Sequence, residues 1–453
     1  MDDTMHILMV AYPFPPRLWV SGASIRLVKF LKYMAGLRPS WRIDVLTAGY
    51  GPQEPALPLR AADLLADVPE SVRVVRVDDP TYLSPRRSPM VAGVKLGRRA
   101  VAKGLNYVWP AMAHRVRPPR GETTTPEPDA QVTWNAAALA WVNVHAARSH
   151  YDLVYASSPP YSTAVLGERI ARGLDIPLVV DVKDNWITAR GRHDPARRRR
   201  EDRMERQVIQ TASRILCVTP AGLEHYRRCY PQRADEFTLI TNGVDLADYA
   251  DVDAMAPARR RFKLTYAGSL GGANRSPVKL FEVFARLLSR GDVRADDCEM
   301  SFPEAMHPDF WRAVERLGLT GRVLPTPMLP LADFKRNLIS SEALVSINYR
   351  GETTLTPGKL YEYWAVGRPV FLIETPGVAT DLVRTHGLGR AVDADDDEAI
   401  YRALRAFYDD WRRGGAPAVD REPLAAFSRA SLTERLCEVF ERVAGRVGSA
   451  AAG

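Results

Sequence analysis

Short apolar runs of strand length alternate along this chain with segments of helical period, and that rhythm limits its fold more than any single residue does. His6-Ile7-Leu8-Met9-Val10-Ala11 reads as a buried first strand. A proline-rich loop, Tyr12-Pro13-Phe14-Pro15-Pro16, and Ser21-Gly22-Ala23-Ser24 follow it. Ile25, Val28, Leu31 and Lys32 then keep the spacing of an amphipathic helix. Residues 43–47, 72–77, 152–156, 178–182, 215–218 and 237–240 continue the strand series, with a helix opening near Ser162. Strands that alternate with helices imply a parallel sheet covered on both faces, because each crossover must return over the sheet. After Asn242-Gly243-Val244-Asp245 a polar, irregular stretch at 248–261 reads as a linker, and Phe262-Lys263-Leu264-Thr265-Tyr266-Ala267-Gly268 restarts the same logic. Further strands are expected at 299–302, 323–324, 343–347 and 370–373. The predicted architecture is α/β, two doubly wound domains in tandem. Their spans are 1–247 and 248–415, with a helical segment over 416–453.

Length agrees with that division, since 453 residues make two domains of about 200. With 46% hydrophobic and 26% charged residues, the composition is that of an ordinary soluble globular chain. The net charge of +8 favours anionic partners without identifying one. Cys217, Cys229, Cys298 and Cys437 form no CxxC pair, so they read as reduced thiols, and the dispersed histidines argue against a structural zinc site. The opening Met1-Asp2-Asp3 shows no charged n-region followed by an apolar h-region, and later apolar runs fall short of the ~20 residues that span a bilayer. The expectation is a cytoplasmic protein, at most peripheral at the inner membrane face.

One stretch carries chemistry by itself. Thr356-Pro357-Gly358-Lys359 reads as a helix start with Thr356 as N-cap and Pro357 at the first helical position. Gly367 ends that helix, and Val370-Phe371-Leu372-Ile373 is the strand behind it. Free N–H groups at such a start attract an anion, and Lys359 adds a full charge. Glu362, one turn on, is within reach of a hydroxylated neighbour on the same ligand, a reading favoured here over a plain helix-surface carboxylate. An anion beside a diol is what a nucleotide diphosphate presents.

Other segments admit two readings. Val94, Val101, Leu105, Val108 and Met112 line one stripe with Lys95, Arg98, Arg99 and Lys103 beside it. Residues 90–117 therefore fit either an ordinary packed helix or a basic helix in peripheral membrane contact. Residues 117–128 read as a Pro- and Thr-rich loop. Arg197-Arg198-Arg199-Arg200 fits a solvated helix face better than a nucleic-acid contact, because no aromatic residues are interleaved with it. Trp186 and Trp364 read as packing residues, and Asp395-Asp396-Asp397-Glu398 as an N-terminal capping run rather than a metal-binding DxD.

In order and spacing, four stretches resemble the GT-B glycosyltransferases of family 4, retaining enzymes that take sugars from nucleotide sugars. They are the loop with Gly22; residues 155–162 with 180–186; residues 205–218 with Thr241-Asn242-Gly243-Val244-Asp245; and Tyr266-Ala267-Gly268-Ser269-Leu270 with the Lys359/Glu362 helix. The resemblance implies two Rossmann-like domains facing a cleft, with the donor held on the second and the helical segment over 416–453 crossing back to the first. There Lys359 and a basic residue after Gly268, here Arg275, would hold and stabilise the leaving diphosphate without a metal or other cofactor. Glu362 would accept hydrogen bonds from ribose hydroxyls. Gly22 and the Gly271-Gly272 pair would let backbone approach the donor closely, and Thr356 and Gly358 would bind it at the helix start. UDP is the commonest nucleotide among such enzymes. The acceptor would be a hydroxyl on a glycan, glycolipid or small metabolite, met by the first domain. Departing phosphate oxygen would take the acceptor's proton, which needs no protein nucleophile.

Three departures accompany the likeness. A glutamate common eight residues before Glu362 is Thr354 here, and a usual arginine after Gly268 is Ser269. Where a histidine often follows the strand ending at Val182, Lys183-Asp184-Asn185-Trp186 stands, so Asp184 becomes a candidate for sugar contact or a partner of Arg190. The lost glutamate leaves room for a second reading, a catalytically inactive GT-B scaffold or sugar-nucleotide-binding partner protein.

Overall fold

A computed structural model describes residues 4–16, 22–49, 59–80, 126–186, 194–255, 261–270, 275–415 and 418–445. The apolar runs become strands and the amphipathic segments become helices between them. The first series is β1 (His6–Val10), α1 (Gly22–Leu37), β2 (Arg42–Gly49), α2 (Leu59–Ala66), β3 (Val72–Asp78), α3 (Val132–Ser149) and β4 (Leu153–Ser158). It continues with α4 (Tyr161–Leu174), β5 (Leu178–Val182), α5 (Pro195–Thr211), β6 (Arg214–Cys217), α6 (Pro220–Cys229) and β7 (Phe237–Leu239). The second begins with β8 (Phe262–Tyr266), α7 (Val278–Ser289), β9 (Cys298–Pro303), α8 (Pro308–Arg316), β10 (Val323–Thr326) and α9 (Leu331–Ile339). It ends with β11 (Ala343–Ile347), α10 (Lys359–Ala365), β12 (Val370–Glu374), α11 (Val378–Thr385), β13 (Gly389–Asp393) and α12 (Asp397–Arg412). A final helix, α13 (Arg429–Val443), closes the chain.

The strands form two wholly parallel sheets, ordered β3-β2-β1-β4-β5-β6-β7 and β10-β9-β8-β11-β12-β13. Both orders reverse direction once, between β1 and β4 and between β8 and β11. This is the doubly wound topology, in which ligands lie beyond the carboxyl ends of the strands at the reversal. Each sheet separates two apolar layers by simple alternation. Leu8 and Val10 of β1 face one layer while Ile7 and Met9 face the other. Central strands β4, β5, β11 and β12 are buried at every position, as crossovers on both faces require. Edge strand β13, Gly389-Arg390-Ala391-Val392-Asp393, has no fully buried residue, and the apolar pattern gave no sign of it.

The described residues divide into two units, one holding 4–241 and 429–445 and the other 242–428. Against the expected borders at 247 and 416, the chain passes from one unit to the other at Thr241/Asn242 and Ser428/Arg429. Val244 explains the first shift, since its N–H bonds the Phe427 carbonyl at 3.1 Å inside the second unit. The expected linker is also corrected. Residues 246–249 and 252–254 form two short 3-10 turns whose Tyr249 and Val252 are buried in the second unit's core. Residues 256–260 lie outside the described part.

In the first unit, α13 lays Leu432, Leu436 and Phe440 into the layer formed by Phe30, Leu31 and Trp41. Arg38 adds bonds to Glu434 at 2.9 Å and Glu441 at 2.5 Å. Buried Arg26 ties α1 to the sheet. It pairs with Asp181 through Nε at 2.9 Å and Nη2 at 3.1 Å, and donates to the carbonyls of Ile240 and Thr241. Trp186 stacks on Tyr161 at 4.9 Å, and buried Trp364 donates to the Asp420 carbonyl, so both tryptophans pack. Arg197 and Arg200 pair with Glu201 and Glu127. Asp396 caps α12 by accepting from the Ala399 N–H. Among the described residues no helix is long and apolar enough to cross a membrane. The basic stripe proposed for 90–117 lies outside the described residues, as does the loop at 117–125.

Candidate active site

In the second unit the reversal point falls between β8 and β11, and the turns after those strands carry the candidate residues. β8 runs through Tyr266 into Gly268, which sits at φ +101°, a conformation that side chains with a Cβ rarely adopt. A Cβ there would also lie 3.3 Å from the Lys359 ammonium nitrogen. Lys359 opens α10, and Tyr363, one turn later, bolts that helix to the sheet. Its hydroxyl accepts from the Ala267 N–H at 2.9 Å and donates to the Val345 carbonyl at 3.2 Å. Burial keeps this phenol neutral far above its ordinary range, against the Ala267 N–H bond, which favours the phenolate.

The helix start corrects the sequence reading. α10 begins at Lys359 with Gly358 in the cap position, in helical geometry and without a side-chain cap bond. Thr356 is buried instead, its carbonyl accepting from Asn242 at 3.4 Å. Gly367, at φ +70°, does end the helix.

Lys359 is half-buried, but its ammonium nitrogen is sealed from solvent and has no hydrogen-bond acceptor among the described residues. It rests over the Tyr266 ring, 3.8 Å from the centroid. Burial pushes the ammonium well below the ordinary lysine range, the Arg275 guanidinium adds to that fall, and Glu362 opposes it. Arg275 stacks on the Tyr349 ring at 4.0 Å, and its buried Nε also has no acceptor among the described residues. Burial raises the Tyr266 hydroxyl to about 12, and Arg275 nearby restrains the rise. Two cations thus converge where three ammonium N–H groups and a guanidinium Nε want an acceptor. Leaving such donors unpaired costs about 1–3 kcal/mol each, more for charged groups. An anion entering here would relieve that cost.

The structure brings Lys359, Arg275, Glu362 and Gly268 together. Gly271 and Gly272 lie outside the described residues. At the departure position, the Thr354 N–H and hydroxyl bond Glu352 Oε1 at 2.7 and 2.6 Å, so a carboxylate lies against Thr354 after all. Tyr266, Tyr349 and Glu352 were missed. The tyrosine beside Gly268 was visible as spelling, but only the fold shows which cation each ring meets.

Gly22 and Asp184 belong to the first unit. Gly22 is the first residue of α1 rather than part of the preceding loop, and Asp184 follows β5 half-buried. Arg190, its suggested partner, lies outside the described residues. Beside Asp184, the Lys183 amine donates to Ser157 Oγ at 2.5 Å, and burial lowers it to about 8 against the pull of Asp181.

Two parallel doubly wound units, with paired cations at the reversal point of the second, define the GT-B class of fold. Residues 95–248 match the model of Glycosyltransferase Family 4. No curated protein matches the chain. Among solved structures, Anabaena HepE in complex with UDP-glucose superposes with TM-score 0.63 at 16% identity, covering 97% of this chain and 100% of that one. Sucrose-phosphate synthase from Thermosynechococcus elongatus gives 0.65 at 14%, covering 98% and 100%. UDP-GlcNAc 2-epimerase from Methanocaldococcus jannaschii gives 0.51 at 10%, covering 97% and 99%. At these identities the likeness is one of fold.

Proposed function

We propose that this protein is a retaining glycosyltransferase that moves a sugar from a nucleotide-diphosphate sugar, with UDP the first nucleotide to test, to a hydroxyl acceptor. The observation that carries this reading is the sealed ammonium of Lys359, without an acceptor among the described residues, beside the Arg275 guanidinium. Two fixed cations stabilise charge that develops on a departing diphosphate, the task a divalent ion performs in other transferases. The reaction is therefore expected to proceed without added metal. Glu362, on the same helix as Lys359, takes the ribose hydroxyls. The leaving phosphate oxygen accepts the acceptor's proton on the face it vacates, which retains configuration and requires no protein nucleophile. Gly22 and Asp184 are assigned to the donor and its sugar from the first unit. The acceptor is a hydroxyl-bearing glycan, glycolipid or metabolite, and work at the cytoplasmic membrane face agrees with the basic pattern at 90–117.

The presence of Glu352 against Thr354 weighs against an inactive scaffold, because the missing family carboxylate has a neighbour two residues away. Fold alone does not choose between transfer and epimerisation. Thermal-shift screening with UDP, GDP, dTDP and ADP sugars, then donor hydrolysis in EDTA, separates the readings. Lys359→Ala and Glu362→Ala are each expected to abolish hydrolysis with the fold intact; unaltered turnover in either variant rejects the assignment.

A further inference from the structure

We propose that Tyr266 and Tyr349 are positioning residues that hold the Lys359 ammonium and the Arg275 guanidinium ready for the diphosphate, an inference that rests on the reading above. Long cationic side chains drift unless something fixes them. A carboxylate would fix them but would occupy the N–H groups and neutralise the charge that phosphate needs. An aromatic face attracts a cation through its quadrupole and consumes no N–H donor. The Tyr266 ring lies 3.8 Å from the ammonium and leaves its three hydrogens unspent. The Tyr349 ring lies 4.0 Å from the guanidinium carbon, and the buried Nε keeps no acceptor among the described residues.

The Tyr266 ring is itself immobilised, and the backbone leading into Tyr349 is anchored. Tyr266 stacks on Phe302 at 5.7 Å with only 9° between planes, and its hydroxyl donates to the Ser269 carbonyl at 3.1 Å. Tyr349 follows Asn348, whose amide donates to buried Glu374 at 2.8 Å; the same carboxylate accepts from the Thr380 N–H and hydroxyl. Tyr349 is nevertheless 39% exposed, unusual for a large ring with no apolar role. Among the described residues, the charged and titratable groups that act on the ammonium are Arg275, Glu362 and Tyr266.

The test uses the full-length protein and isothermal calorimetry with UDP, GDP, dTDP and ADP, continuing with the tightest binder and its nucleoside. Tyr349→Leu is expected to weaken the diphosphate about 3- to 30-fold and leave the nucleoside unchanged, with Tyr349→Phe restoring most of the loss. Tyr266→Leu is expected to move the alkaline limb of binding to lower pH, while Tyr266→Phe keeps it. Lys359→Met serves as the control for the underlying reading. If that variant loses the diphosphate while Tyr349→Leu binds as wild type does, the positioning role is refuted and the site stands. If wild type binds none of the four, both fall. Because Tyr266 is buried, misfolding of its leucine variant leaves the decision to Tyr349, whose exposed ring can be removed safely.

Discussion

Lys359 combines a charge with an environment that resists it, and the sign of that conflict is measurable. Burial and Arg275 favour the neutral amine in the free protein, whereas a bound diphosphate favours the ammonium. Binding must therefore take up protons as pH rises past the free amine's lowered midpoint, and affinity must fall in the same direction. Calorimetry in buffers of different ionisation enthalpy should show proton uptake with UDP, lost in Lys359→Met; buffer-independent heats would contradict this. Glu205 on α5 is a second buried titratable group, with Tyr226 donating to it at 2.9 Å. Burial raises its carboxyl from 4.5 to about 7. The folded chain then binds the extra proton between those values, so stability falls as pH climbs from 4.5 to 7 and is flat beyond. Glu205→Gln should add about 3 kcal/mol at pH 8 and nothing near pH 4, read by denaturant titration.

At the scale of elements, the site depends on one turn and one short helix. Gly268 must hold φ +101° and leave room for the Lys359 nitrogen. Gly268→Ala is expected to cost about 1–2 kcal/mol in backbone strain. It should also displace the ammonium and weaken UDP by about 10-fold, whereas strain alone would lower the unfolding temperature and spare affinity. Periodicity found β8, α10 and β12 because their apolar residues face the core. It did not find that α10 lacks a capping side chain, since Thr356 is drawn inward by a tertiary contact with Asn242. Edge strand β13 escaped because a half-exposed strand needs no continuous apolar run.

For the molecule as a whole, the chain ends in the unit where it began. α13 contributes Leu432, Leu436, Val439 and Phe440 to the first unit's core. At roughly 1.5–3 kcal/mol for each buried side chain, their loss is comparable to the whole stability of a domain. Truncation after Ser428 should therefore unfold the first unit and leave the second, with its own two apolar layers, able to bind UDP. Loss of UDP binding in that fragment would show the second unit incomplete. The alternation of apolar runs determined two parallel doubly wound sheets, because a strand covered on both faces must be apolar throughout and its crossover must be amphipathic. Local spelling also marked Lys359, Glu362 and Gly268. Only the tertiary structure decided that Tyr266 and Tyr349 receive the two cations and that Glu352 reaches Thr354. Those contacts join residues distant in sequence or turned by loops, and side-chain periodicity carries no information about which strand ends meet.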